Sequence, residues 1–148
     1  RVGRGYAPDY VNELRSAIAD YYGLGTSNVQ LSSGSTYLLQ ASVRAFCDAD
    51  KPLVTGAPSF ATSASTARTI GAPIHSLPLT SSAHLDLEAM AAKAPGAGLV
   101  YICNPNNPSG TVHGPDVIES VVRRIVAAAP DAYIHLDEAI STMLIPEP

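Results

Sequence analysis

Asn104-Pro105-Asn106-Asn107-Pro108-Ser109-Gly110 is the stretch best suited to chemistry. It sets two amides, Asn106 and Asn107, between two prolines and a third, Asn104, just before them; the prolines lock φ and lack an N–H donor. A loop so stiffened can hold an asparagine amide at a fixed point over a ligand. Asp137-Glu138 follows Ala132–Leu136, which reads as a strand. A carboxylate at the end of such a strand can pair with a cationic ring nitrogen and keep it protonated. Ser33-Gly34-Ser35-Thr36 leads into an apolar-periodic segment, where free backbone N–H groups and the positive helix end favour an anion. Gly34 lets the backbone approach closely, and the hydroxyls of Ser35 and Thr36 add donors. Phe60 can stack on a flat ring. Each feature also has a plainer reading: a turn-rich connection, an ordinary N-cap, an acidic cap, a packed aromatic.

The elements that must position these groups follow from periodicity. Asp9–Tyr22 reads as an amphipathic helix, with Val11, Leu14 and Ile18 at helical spacing and Gly23 as its stop. Val29–Leu31 reads as a short strand and Tyr37–Cys47 as a helix. Pro52–Thr55 is a strand before the loop Gly56–Phe60; Ala61–Ile70 is a helix, and Pro73–Leu77 a strand. Leu85–Lys93 is a helix with Asp86 and Glu88 in its first turn, where carboxylates complement the dipole. Leu99–Cys103 is a strand, Asp116–Ala129 a helix and Ala132–Leu136 a strand.

Alternating strands and helices imply an α/β fold, a three-layer α/β/α arrangement around a mainly parallel sheet. Right-handed crossovers then set the strand-to-helix loops on one edge. Ser32–Thr36, Gly56–Phe60, Asn104–Gly110 and Asp137 all follow strands, so sequence-distant groups should meet at one rim. In open α/β sheets ligands bind just past the carboxyl ends of the strands.

Bulk composition narrows the class. With 148 residues, 46% hydrophobic and 15% charged, the chain can bury a real core. A net charge of −4 without a basic block argues against a nucleic-acid surface. No apolar stretch reaches membrane-span length, and the first residues lack the apolar core of a signal peptide. Cys47 and Cys103 sit in apolar runs, so buried free thiols in a reducing cytoplasm are expected. His75, His84, His113 and His135 show no metal-ligand spacing, and no metal site is expected. Neither Gly-x-Gly-x-x-Gly nor a Walker-type lysine motif occurs, which disfavours a nucleotide-binding domain.

Taken together, these motifs resemble the fold-type I, pyridoxal-phosphate-dependent aminotransferases of class I and II, with most likeness to the histidinol-phosphate aminotransferase branch. The resemblance spans essentially the whole chain. It rests on Asn104–Gly110, on Glu13-Leu14-Arg15 through Tyr22-Gly23, on Gly34-Ser35 with Arg44-Ala45-Phe46-Cys47, and on Leu136-Asp137-Glu138-Ala139. It implies pyridoxal 5'-phosphate as cofactor, whose protonated ring is an electron sink, and an amino acid as substrate. Gly34, Ser35 and Thr36 would hold its phosphate, Phe60 would stack on the ring, Asn107 would bond the phenolic oxygen and Asp137 the ring nitrogen. Tyr6 would reach the phosphate of the neighbouring subunit, so the resemblance also implies a homodimer with shared sites. A cis Asn107–Pro108 bond is expected from the same loop.

The chain departs from the family pattern at two points. Ile140 stands where a tyrosine usually helps hold the phenolic oxygen, which hints at a lyase, a decarboxylase or an amino-acid-modifying enzyme of the same fold. The Schiff-base lysine is expected some tens of residues after the aspartate, and the lysines here, Lys51 and Lys93, both precede it. Residues 1–148 are therefore expected to be the central part of the large domain, without the lysine region and the small carboxyl-terminal domain. A catalytically inert fragment that only binds a ligand or partner is the non-enzymatic alternative.

Overall fold

Leu99-Val100-Tyr101-Ile102-Cys103 buries all five of its side chains, as the central strand of a doubly covered sheet must. The computed structural model of the chain describes residues 8–141. The chain divides into two units at Gly34–Ser35.

In the first unit, α1 (Pro8–Tyr22) ends as Gly23 turns to φ +65° and its N–H bonds to the Asp20 carbonyl. A single 3-10 turn follows at Thr26–Asn28. The expected strand at Val29–Leu31 does not form. A strand exists only when paired, and among the described residues the sheet contains no partner for it. Gly34 closes this unit at φ +97°, a conformation that side chains rarely adopt.

The second unit alternates α2 (Ser35–Phe46), β1 (Leu53–Ala57), α3 (Thr62–Thr69), β2 (Ile74–Pro78), α4 (Leu87–Lys93), β3 (Leu99–Cys103), α5 (Pro115–Ala128) and β4 (Tyr133–Asp137). The strands are all parallel, in the order β2-β1-β3-β4. The α/β fold with a parallel sheet is thus as the alternation implied, with boundaries moved by one or two residues. One shift changes a role. Asp86 is the N-cap of α4 rather than a first-turn residue, and its carboxylate accepts from the Ala89 N–H at 2.9 Å.

The period of two along β3 builds both faces of the core. Leu99, Tyr101 and Cys103 join Leu53, Leu39, Val43 and Ala67 on the side of α2 and α3. Val100 and Ile102 join Val54, Met90, Ile118 and Ile125 on the side of α4 and α5. Full burial of each such aliphatic side chain contributes roughly 1.5–3 kcal/mol. Gly98 allows the sheet and α2 to approach: a Cβ there would stand 1.9 Å from the Phe46 carbonyl oxygen. Cys47 and Cys103 are buried and free. Burial, with the neighbouring Asp48, pushes the Cys47 thiol up to about 11. Among the described residues, no helix is long and apolar enough to cross a membrane.

Candidate functional site

All four strands run the same way, so β1, β3 and β4 deliver their following loops to one edge of the sheet. There a cavity of about 190 Å³ is lined by Ser35, Phe60, Cys103, Asn107, Asp137, Ala139 and Ile140. Four of the predicted site residues, Ser35, Phe60, Asn107 and Asp137, therefore share one hollow. Thr36 and Gly34 are not among its lining residues: Thr36 is the exposed second residue of α2, and Gly34 belongs to the first unit. Tyr6 lies outside the described residues.

The asparagine loop has a division of labour. Asn104 is a staple: its Oδ1 accepts from the His113 N–H at 2.8 Å, and its Nδ2 donates to the His113 carbonyl at 3.0 Å. Asn106, only 1% exposed, donates through Nδ2 to the Pro58 carbonyl at 3.2 Å and to Ser109 Oγ at 2.8 Å. It thereby ties this loop to the one that follows β1. Gly110, at φ +70°, bends the chain back so that its N–H meets the Asn106 carbonyl at 2.7 Å. Only Asn107 is left at the cavity, exposed and with no side-chain partner among the described residues. The Asn107–Pro108 bond is cis, as expected, and so are Ala57–Pro58 and Asn104–Pro105.

Asp137 ends β4, 8% exposed. Its Oδ2 accepts from the Tyr101 hydroxyl at 2.8 Å and its Oδ1 from the Ala139 N–H at 3.0 Å. Burial, followed by the contacts with Cys103 and Asp137, raises the Tyr101 phenol far above its ordinary range, so it stays a donor. His135 sits two residues earlier on the same strand, with Nδ1 2.9 Å from Ser42 Oγ. Burial lowers its pKa, and the Asp137 charge opposes that.

Among the described residues the ion pairs are Arg123–Glu119 and Arg124–Glu88, both on the surface, so Asp137 has donors but no cation. A buried carboxylate in this state suits a cationic group placed in the cavity. At the same hollow, Ser35 opens the twelve-residue helix α2, whose first backbone N–H groups lack intrahelical partners. Phe60 supplies an apolar wall and packs against the core below. The arrangement fits a flat, cationic heteroaromatic ring that carries an anionic arm.

Sequence reasoning missed three lining or supporting roles. Cys103 and Ala139 had no chemical signal, because a thiol and a methyl group read as core. The signal for Tyr101 was present: a phenol inside an otherwise apolar buried strand has a hydroxyl that must find a partner. A larger hollow, about 590 Å³, lies by α5 around Val112, His113, Ile118 and Leu136. Two of its polar lining residues are already engaged, the Asn104 amide with the His113 backbone and the His113 ring with the Leu85 carbonyl.

Comparison with known proteins bears on this geometry. Residues 3–147 match the family model for aminotransferase class I and II. An aromatic amino acid aminotransferase of Corynebacterium diphtheriae is 35% identical over 130 residues, 87% of this chain and 37% of the relative. A histidinol-phosphate aminotransferase of Thermococcus gammatolerans is 38% identical over 125 residues, 84% of this chain and 34% of the relative. The crystal structure of histidinol-phosphate aminotransferase from Sinorhizobium meliloti in complex with pyridoxal-5'-phosphate superposes with a TM-score of 0.82 at 26% identity. It covers 93% of this chain and 37% of that one. The chain thus spans about a third of the length of these relatives.

Proposed function

The chain belongs to the class I and II aminotransferase family, and from that premise we propose that its protein moves the amino group of an amino acid with the help of pyridoxal 5'-phosphate. The observation that carries this reading is Asp137: a buried carboxylate with two fixed donors and, among the described residues, no cation, set in the wall of a cavity at the carboxyl edge of the sheet. Bound there, pyridoxal phosphate supplies an electron sink for the pair released at the substrate's α-carbon, provided its ring nitrogen stays protonated.

Each residue then has a task. Asp137 accepts the hydrogen bond of the ring nitrogen and holds the proton on it. Asn107 donates its amide to the ring oxygen. Phe60 covers ring surface and excludes water. The backbone at Ser35 and Thr36, entered through Gly34, bonds the phosphate at the head of α2. Neither Lys51 nor Lys93 lines the cavity, and both are exposed. Because the chain spans about a third of its relatives, we read it as the central part of a larger cofactor domain. The anchoring lysine then comes from elsewhere in the protein. By the same family logic the protein is a cytoplasmic homodimer, with Tyr6 reaching the neighbouring site.

Ile140 favours a second reading. It lines the cavity where the family usually places a tyrosine, and its side chain has no donor for the ring oxygen. A lyase, decarboxylase or other amino-acid-modifying reaction on the same cofactor fits that loss.

The test is to supply the full-length protein with pyridoxal phosphate and follow the absorption of bound cofactor before and after adding amino acids. Bound cofactor whose spectrum answers to an amino acid, with the response lost in Asp137→Asn, is the expected result. A protein that takes up no cofactor sinks the proposal, and release of carbon dioxide or an eliminated group in place of a keto acid selects the second reading.

A further inference from the structure

Tyr101 contributes to β3 a phenol where the strand otherwise presents only Leu, Val, Ile and Cys. It is 1% exposed, and it is not among the residues lining the cavity. A phenylalanine would fill the same volume and ask for no partner. The added hydroxyl is a polar group that must be satisfied inside the core, and it is satisfied by Asp137 Oδ2 at 2.8 Å. The other carboxylate oxygen is held at 3.0 Å by the Ala139 N–H, from the turn beyond β4. One fixed donor on each oxygen, from two different elements, sets the plane of the carboxylate. Its remaining lone pairs are left for the cavity. Beside Tyr101, at its register partner on β4, stands the His135 ring, 6.0 Å away centre to centre at 75°, itself bonded to Ser42 of α2. The phenol is thus packed from β4 and α2 and cannot swing away from the carboxylate without opening the core.

From this geometry we infer that Tyr101 is a positioning residue for cofactor binding: it acts on the ring nitrogen only through Asp137, by fixing the carboxylate's orientation and drawing on its acceptor strength. The inference rests on the reading that Asp137 meets the pyridine nitrogen. It adds that the strength of this contact is set by a hydroxyl from the neighbouring strand. A donor on the far side of a carboxylate withdraws charge from it, so the hydroxyl tempers how strongly Asp137 holds the ring proton.

The experiment uses full-length protein, prepared as wild type, Tyr101→Phe and Asp137→Asn, and pyridoxal phosphate labelled with ¹⁵N in the ring. Cofactor affinity is read by fluorescence quenching of the apoprotein, ring protonation by the ¹⁵N resonance, and folding by thermal unfolding. Tyr101→Phe should weaken cofactor binding on the order of tenfold, because a carboxylate left with one fixed donor turns out of the plane that meets the ring, and that loss exceeds the charge returned to it. It should also move the ¹⁵N resonance away from its wild-type position. Should the phenylalanine variant unfold, 3-fluorotyrosine at position 101 supplies a stronger donor of nearly the same size. It should move the resonance in the sense opposite to loss of the hydroxyl.

If the wild type binds cofactor and Asp137→Asn shifts the resonance, yet neither change at Tyr101 moves it, Tyr101 only packs and the inference falls alone. If the wild type binds no cofactor, or Asp137→Asn leaves the resonance where it was, the reading of the site itself has failed.

Discussion

Cys103 and Asp137 are register partners across β3 and β4, the last paired residues of both strands. The pairing extends one step further, because the Asn104 N–H donates to the Asp137 carbonyl at 2.9 Å. The asparagine loop and the acid therefore leave the sheet at the same place. Their separation is set by sheet register rather than by loop conformation. A slip of one residue would turn Asp137 to the opposite face and abolish the site.

The Tyr101–Asp137 bond gives the acid a structural role beside the one proposed for it. In Asp137→Ala the Tyr101 hydroxyl stays buried without its acceptor, and the protein should lose about 1–3 kcal/mol of stability. Asp137→Asn keeps an acceptor oxygen and should lose less, while turnover falls nearly to nothing in both. Urea unfolding of the single variants and of Asp137→Ala combined with Tyr101→Phe checks the cause. The loss should shrink in the phenylalanine background, where no hydroxyl is left unpaired. An equal loss in both backgrounds would place the cost elsewhere.

Asn106 joins two rim loops through one amide, which bonds Pro58 on one side and Ser109 on the other. Asn106→Ala removes both bonds and leaves a small void, so about 2–4 kcal/mol of stability should go. Cofactor affinity should fall with it, because Phe60 and Asn107 follow directly from the loops it ties. Unfolding midpoints and a cofactor titration of the intact protein measure the two effects. A stable variant with loosened cofactor would show that the tie serves alignment alone.

For Phe60→Ala the expected effect is on binding first. Phe60 covers the cavity and packs on the core from above. Cofactor affinity should drop by roughly 1–3 kcal/mol from lost burial and ring contact. Unchanged affinity in an equilibrium titration would assign the ring to packing only.

The layered fold was legible because strands and helices alternate and the central strand obeys a simple rule. Leu99–Cys103 is apolar at every position, and its bounds were read correctly from sequence. Val29–Leu31 was misread for the complementary reason: a valine raises strand propensity, but only a partner makes a strand, and pairing is not written locally. Of the candidate site, the residues whose type carries chemistry were legible as far as their meeting in one cavity: Ser35, Phe60, Asn107 and Asp137. The site was illegible where a role arises from contact. Nothing in the local sequence says that Asn104 and Asn106 brace the loop while Asn107 faces the hollow. Nor does it say that Tyr101 reaches across to the next strand, since both facts depend on register and on where the chain turns back at Gly110.

The pH dependence of stability follows from two histidines. His113 Nε2 lies 3.1 Å from the Leu85 carbonyl, and His135 Nδ1 lies 2.9 Å from the Ser42 hydroxyl. In both, burial lowers the pKa below 6.5; the Leu85 carbonyl opposes this at His113 and Asp137 opposes it at His135. The native chain therefore takes up these protons at lower pH than the unfolded chain does. Between the two pKa values the unfolded state binds more protons, so stability rises with pH across that window. The contribution is complete above the unfolded value and is lost as the pH falls through 6.5 toward the folded values. Urea midpoints should stay level above about pH 7.5 and decline below about pH 6.5, ahead of the carboxylate range. Replacing His113 or His135 by Gln removes one titrating ring, and each variant should show a shallower decline. A midpoint that climbs on acidification, or a decline of the same steepness in both variants, would mean that these rings are not the groups held neutral by the fold.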